Sequence, residues 1–277
     1  MGYLETKNSY IKYKDVTFAY RELGEKNGIP ILMFNHLAAT LDNWDPILVD
    51  TLASEYRIIV FDNLGVGGSS GIVQDSIQEM AKSAYDFIKA MNLEKVHVLG
   101  MSMGGFVVQE LLEIAPQVID KVILAATGPR GGVGIDKVTS ITFFDMFRAT
   151  ITGVDPKRFL FFNHDNTGKK EALKFLDRIN SREEEYKDAS IKVKSFLKQL
   201  KAIKKWSKEQ SSNLSSFDFD ILLVNGDNDR MVPTINTHNM HQQIKKSKMI
   251  IYTNSGHGAI FQFPKRFAND VDSFIKQ

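Results

Sequence analysis

Short apolar runs punctuate the first half of the chain: Ile31-Leu32-Met33-Phe34, Ile58-Ile59-Val60-Phe61, Val96-His97-Val98-Leu99 and Val122-Ile123-Leu124. The first three close on Asn35, Asp62 and Gly100. A strand with one wet face alternates apolar and polar residues. A run without alternation must be covered above and below, as in a parallel sheet sandwiched between helices. The intervening segments supply the helices. Ser76–Met91 sets Ile77, Met80, Ala81, Ala84, Phe87 and Ile88 on one stripe, with Ser76 as N-cap and Glu79 at the capping-box position. Met103–Ala115 reads as a second helix, ended by Pro116. The alternation predicts an α/β fold, a doubly wound, mostly parallel sheet of about eight strands. Ahead of it, Tyr10–Tyr13 and Val16–Tyr20 read as a hairpin turning at Lys14-Asp15.

This rhythm stops after Thr127. Residues 129–216 contain helical periodicity and charge but no buried-strand run, and carry 18 Lys+Arg against 11 Asp+Glu. It returns with Ile221–Val224, a helix around Thr234–Gln243, a strand at Met249–Tyr252 and a closing helix at Pro264–Ile275. The expected organisation is a core in two parts, 1–128 and 217–277, interrupted by a helical cap over 129–216. Within the cap, Lys192, Lys194, Lys198, Lys201, Lys204, Lys205 and Lys208 alternate with an apolar stripe of Phe196, Leu197, Leu200 and Ile203. That pattern reads as a solvated helix face, with guidance of an anionic substrate as the sharper alternative.

Composition removes several classes of function. There is no cysteine, hence no disulfide framework, thiolate zinc site or cysteine nucleophile. The net charge of +2 is too balanced to point to nucleic acid or a membrane surface. The first residues lack the apolar core of a secretory signal, and no apolar run approaches the roughly 20 residues of a membrane helix. A cytoplasmic protein is the simplest expectation.

The sharpest motif is Gly100-Met101-Ser102-Met103-Gly104-Gly105, a G-x-S-x-G between a buried strand and a helix. Side chains two before and two after a serine on so sharp a turn would collide with neighbouring backbone. The Met103 amide opens the following helix, where it can donate to a developing oxyanion. A serine hydroxyl needs a base to take its proton. Of six histidines, His97 lies in a buried strand, His164 in the cap, and His238 and His241 on a helix. His257 sits in a glycine-flanked loop past the last strand, and carboxyl ends of strands are where α/β sites form. The acid that orients the base belongs at another strand end. Asp227 and Asp229, after Ile221–Val224, both qualify.

Together these segments resemble the α/β-hydrolase superfamily, in its branch with a helical cap inserted after the sixth strand. The likeness covers essentially the whole chain. It rests on the G-x-S-x-G-G elbow, the G-x-x-D-x-x-V-P segment from Gly226 to Pro233, the Gly256-His257 loop, and Asp62–Ser69, similar to the family's D-x-R-G-x-G-x-S loop. The resemblance selects Asp229 as the acid, giving the order Ser102, Asp229, His257. It places the second oxyanion donor after the third strand, in an H-G-x loop that here reads His36-Leu37-Ala38, with leucine for the usual glycine. By position that donor is the Ala38 amide, and His36 holds the loop. Trp44 stands where the family often has tryptophan, and core packing is its simplest role.

The resemblance implies hydrolysis of a carboxylic ester through an acyl-enzyme, without metal or organic cofactor. Thioesterase, enol-lactonase, carbon–carbon bond hydrolase and cofactor-free perhydrolase chemistry share the machinery, and a slow-turnover ligand binder shares the fold. Phe143, Phe144, Met146, Phe147, Phe159, Phe161 and Phe162 cluster in the cap, with Phe106 beside the elbow and Ile260 and Phe261 beside His257. They favour a small-molecule substrate with an apolar acyl or alcohol group. Leu37, Phe106, Phe143, Phe147 and Ile260 are the expected contacts, in a protein that is a monomer or homodimer.

Overall fold

In the computed structural model, which describes residues 2–277, the apolar runs lie side by side in one sheet. Its strands are β1 (Ser9–Tyr13), β2 (Val16–Leu23), β3 (Ile31–Phe34), β4 (Ile58–Phe61), β5 (Val96–Met101), β6 (Ile119–Ala125), β7 (Ile221–Gly226) and β8 (Ser247–Tyr252). The spatial order is β1-β2-β4-β3-β5-β6-β7-β8. From β4 through β8 every pairing is parallel, while β2 lies antiparallel on β4 and β1 antiparallel on β2. The missing polar alternation has a direct cause. Leu32, Phe34, Ile59, Val98, Leu124 and Leu223 point into one core; Ile31, Met33, Val60, Leu99, Ile123 and Leu222 point into the other. A side-chain period of two then demands apolar residues at every position.

The helices are α1 (Pro46–Ala53), α2 (Ile77–Ala90), α3 (Met103–Ile114), α4 (Val138–Thr152), α5 (Lys157–Phe161), α6 (Asn166–Asn180), α7 (Val193–Trp206), α8 (Ile235–Gln243), α9 (Ala259–Gln262) and α10 (Pro264–Ile275). α2, α3 and α8 cover the first core, α1, α9 and α10 the second. The Ser76 hydroxyl accepts from the Glu79 N–H and starts α2 where the sequence expects it.

Between β6 and β7 the chain is helical, and α4 to α7 lie over one end of the sheet. This insertion reaches both cores. Phe161, Phe162 and Phe175 join the second, and Ala202, Ile203 and Trp206 join the first. Trp206 stacks on Phe106 of α3, ring centroids 5.4 Å apart. Arg178 of α6 grips the buried Asp45 at the head of α1. On α7 the buried face is Ser195, Gln199, Leu200, Ala202, Ile203 and Trp206, whereas Leu197, expected in the apolar stripe, is 47% exposed. The lysine row is also less uniform than its sequence: Lys198 and Lys201 lie against Asp75 at 3.6 and 3.1 Å. Among the described residues no helix is long and apolar enough to cross a membrane.

Candidate active site

The carboxyl ends of β3, β5, β7 and β8 open under the insertion, each followed by one of the loops with chemical character. Ser102 follows β5 with φ 54° and ψ −118°, a left-handed conformation that few side chains adopt. Two contacts hold it: its N–H donates to the Ala125 carbonyl at 2.9 Å, and the Thr127 hydroxyl donates to its carbonyl at 2.8 Å. The glycines of the motif answer to close approach. A Cβ on Gly104 would lie 2.2 Å from the Phe34 carbonyl oxygen, and one on Gly100 would lie 2.7 Å from Gly104 and Gly105 backbone atoms. Neither neighbour is a side chain that could yield. Met103 opens α3, so its N–H has no acceptor within the helix.

The structure brings Ser102, His257 and Asp229 together across three loops. His257 Nε2 lies 2.9 Å from Ser102 Oγ, and His257 Nδ1 lies 2.8 Å from Asp229 Oδ2. Both members of the His257–Asp229 pair are buried. The other carboxylate oxygen of Asp229 accepts from the Met231 and Val232 N–H groups at 2.8 and 3.0 Å. A carboxylate so bound keeps one oxygen free for the imidazole and fixes the Nδ1–H tautomer, leaving Nε2 bare toward the serine. Asp227 does different work. It accepts from the Asn254 and Ser255 N–H groups at 2.8 and 3.0 Å and so braces the loop that carries His257.

The loop after β3 carries Ala38, the expected second oxyanion donor. Ala38 has φ 62°, and its N–H donates to the side-chain oxygen of Gln199 on α7 at 2.8 Å, so that amide is engaged. The N–H of the preceding Leu37 has no acceptor among the described residues, and Leu37 lines the same cavity as Ser102. Ala38 lines that cavity too, and its N–H is met there by the buried side-chain oxygen of Gln199. The positive φ of this turn falls at Ala38, and Leu37 is not in that region, so its side chain is tolerated. His36 braces this turn. Burial pulls its imidazole down to about 3, so it is neutral and donates Nδ1–H to the Leu37 carbonyl at 2.8 Å. Trp44 is buried and donates from Nε1 to Asn35 at 2.5 Å, holding the start of the loop.

Over Ser102 and His257 lies a cavity of about 280 Å³, lined chiefly by apolar side chains. Leu37 and Phe106 border it as expected, joined by Val138, Thr142 and Met146 of α4 and by Ile203 of α7. Phe143 and Phe147 do not. They are 47% and 65% exposed, because α4 turns positions 138, 142 and 146 inward, at a spacing of four, and the next position outward. Ile260 is buried in the core beside α10 rather than at the cavity. The composition of the helix announced an aromatic cluster; only its phase decides which residues meet a ligand. Among the described residues no three His, Asp or Glu side chains converge in a way that would hold a metal ion.

Comparison with known proteins agrees with this architecture. The sequence profile of the family described as alpha/beta hydrolase fold matches residues 29–264. An alpha/beta hydrolase fold protein from Chitinophaga pinensis superposes with a TM-score of 0.94 at 30% identity, covering 99% of each chain. The 3-oxoadipate enol-lactonase 1 of Acinetobacter baylyi is 35% identical over 82 residues, 30% of each chain. The 2-hydroxy-6-oxo-6-(2'-aminophenyl)hexa-2,4-dienoic acid hydrolase of Metapseudomonas resinovorans is 25% identical, with 97% of this chain and 90% of that one covered. The first curated relatives are matched over less than half of their own length.

Proposed function

The chain belongs to the alpha/beta hydrolase fold family, and from that premise we propose that it is a serine hydrolase cleaving small carboxylic esters. The observation that carries this is the continuous hydrogen-bonded line from Ser102 Oγ through His257 to Asp229. The hydroxyl attacks the ester carbonyl as His257 Nε2 takes its proton, and the Asp229 carboxylate stabilises the imidazolium. The tetrahedral oxyanion is met by the amides of Met103 and Ala38, the latter exchanging the Gln199 oxygen for it, each such donor contributing about 3 kcal/mol. The carbon–oxygen bond to the leaving alcohol then breaks, and the proton on Nε2 passes to that oxygen. Water enters, gives a proton to His257, attacks the acyl-Ser102 carbonyl and releases the acid, and the proton returns to Ser102 Oγ.

The cavity volume, near the lower end for small-molecule sites, and its apolar lining favour a short, uncharged acyl or alcohol group. Ser102→Ala is expected to abolish turnover of p-nitrophenyl butyrate with an unchanged melting temperature. A variant with wild-type rate would remove Ser102 from the mechanism. A second reading, hydrolysis of a carbon–carbon bond, is favoured by the nearly full-length match to the dienoic acid hydrolase. Turnover of that relative's dienoic acid at a kcat/KM well above that of any ester in a chain-length series would select it.

A further inference from the structure

The overall charge of +2 conceals a division. Residues 129–216 hold 18 Lys+Arg against 11 Asp+Glu, leaving 17 against 22 for the rest of the chain, so the insertion is basic and the body acidic. The outer face of the insertion is also apolar. On α4, Phe143, Phe147, Ile151 and Phe144 fall within about 100° of helical arc and are all exposed, Phe147 and Ile151 by 65% and 69%. On the adjoining α7, Val193 and Leu197 are exposed one turn apart, and the rings of Phe143 and Phe196 meet across the two helices at 6.2 Å. Water-facing helix positions are ordinarily polar, and so many large apolar side chains on one face form a patch that calls for a partner. The patch rings the mouth of the cavity, because Met146 and Val193 both line the cavity and reach the surface. Lysines flank it. Lys194 and Lys204 lie on the same arc of α7 as Val193 and Leu197. Lys198 and Lys201 are engaged by Asp75, whereas Lys192, Lys194, Lys204 and Lys205 pair with no carboxylate among the described residues.

We propose that this face of the insertion docks on an anionic lipid surface. The side chains of Phe143, Phe144, Phe147 and Ile151 enter the boundary between headgroups and acyl chains, and the free ammonium groups of α7 meet the lipid phosphates. A second copy of the chain is the poorer occupant. Across a twofold contact the lysines of α7 would face each other, and neither helix offers a carboxylate in reply: α7 has none, and Asp145 of α4 is buried against Arg230. Docked in this way, the cavity opens onto the lipid. On the ester-hydrolase reading above, the substrates are then uncharged esters dissolved in the membrane, which reach Ser102 without crossing water.

The test is flotation of the full chain with vesicles of phosphatidylglycerol and phosphatidylcholine in equal parts, and with vesicles of phosphatidylcholine alone, at low and at high salt. The expected result is partition into the anionic vesicles about tenfold or more above the neutral ones, weakened at high salt. Phe144→Ser with Ile151→Ser, and separately Lys192→Glu with Lys194→Glu, should each lower binding to the anionic vesicles by about tenfold or more. Both double variants change exposed side chains, so the melting temperature and the turnover of dissolved p-nitrophenyl butyrate should stay at the wild-type level. No binding to anionic vesicles, equal binding to neutral ones, or full binding by either folded variant overturns the proposal. A dimer in light scattering that Phe144→Ser with Ile151→Ser dissolves also overturns it, since the patch then belongs to a second copy. Should one double variant not fold, the other is judged by the same outcomes. Flotation needs no turnover: a chain that binds vesicles but cleaves no ester overturns the parent reading alone, and a chain that cleaves esters but binds no vesicles overturns this one alone.

Discussion

Replacing Arg178 by alanine removes a polar tie between the helical insertion and a buried carboxylate of the core. Asp45 caps α1, accepting from the Ile47 N–H at 2.9 Å, and its side chain is wholly buried. Arg178 donates to Asp45 Oδ2 from Nε at 2.9 Å and from Nη2 at 2.5 Å, and from Nη2 to the Phe261 carbonyl at 3.0 Å. Burial pushes the Asp45 carboxyl above its ordinary value even with the guanidinium opposing it. Truncation strands that carboxylate and one carbonyl, a loss of about 3–5 kcal/mol for a buried pair broken from one side. Arg178 is 20% exposed, so water screens the pair in part and the lower end applies. With an unfolding entropy of roughly 2.1 cal/mol/K per residue over 277 residues, the melting temperature falls by about 5 °C. The loss depends on pH. With its cation gone the folded-state pKa of Asp45 rises further above the unfolded value, so the folded variant takes up a proton more readily than the unfolded chain. The deficit is therefore greatest at pH 7 to 8 and shrinks as pH falls toward 5. Thermal melts followed by circular dichroism across that range measure it, and Asp45→Asn combined with Arg178→Met should recover most of the loss. A variant melting within about 1 °C of wild type at pH 7.5, or a deficit independent of pH, would refute the reasoning.

Two further outcomes follow from the loops. Asp229→Asn should reduce kcat by about 10⁴, since an amide in that place favours the wrong imidazole tautomer. Asp227→Asn, which only loosens the brace on Asn254 and Ser255, should stay within about tenfold of wild type in ester turnover; equal losses would contradict the division of labour. A second pH effect belongs to Asp62, whose carboxyl is held well above its ordinary value by burial and then by the neighbouring Asp188 carboxylate. A folded pKa raised above the unfolded one contributes stability at low pH that is lost as pH rises through the raised value. Asp188→Asn, which removes the like charge, should flatten that decline in melting temperature between pH 5 and 8, and parallel curves would count against it.

What was legible in the sequence is what short-range physics dictates. Uninterrupted apolar runs such as Ile58–Phe61 meet two cores because the side-chain period of a strand is two, and no distant contact is needed to know it. The Gly100–Gly105 turn is likewise local, since the atoms a Cβ would strike at Gly100 belong to residues within five positions of it. Helix phase is less secure. Phe143 and Phe147 belong to an aromatic cluster that any reading of composition detects, yet one residue of rotation puts Thr142 and Met146 at the cavity instead.

Contacts between distant segments were decided by the tertiary structure alone. Nothing near Ala38 reveals that its amide is taken, because the acceptor is Gln199 on a helix whose position depends on Trp206 stacking on Phe106 and Ala202 and Ile203 entering the core. The only trace in the sequence is a glutamine on the apolar side of α7, next to Leu200. In the same way Arg178 and Asp45 lie 133 residues apart, and only the packing of the insertion onto the sheet makes them partners. Propensity and steric exclusion act over a few residues and are written in order along the chain. Hydrogen-bond satisfaction in a buried site depends on which surfaces have already met, and that is settled only once the chain has closed on itself.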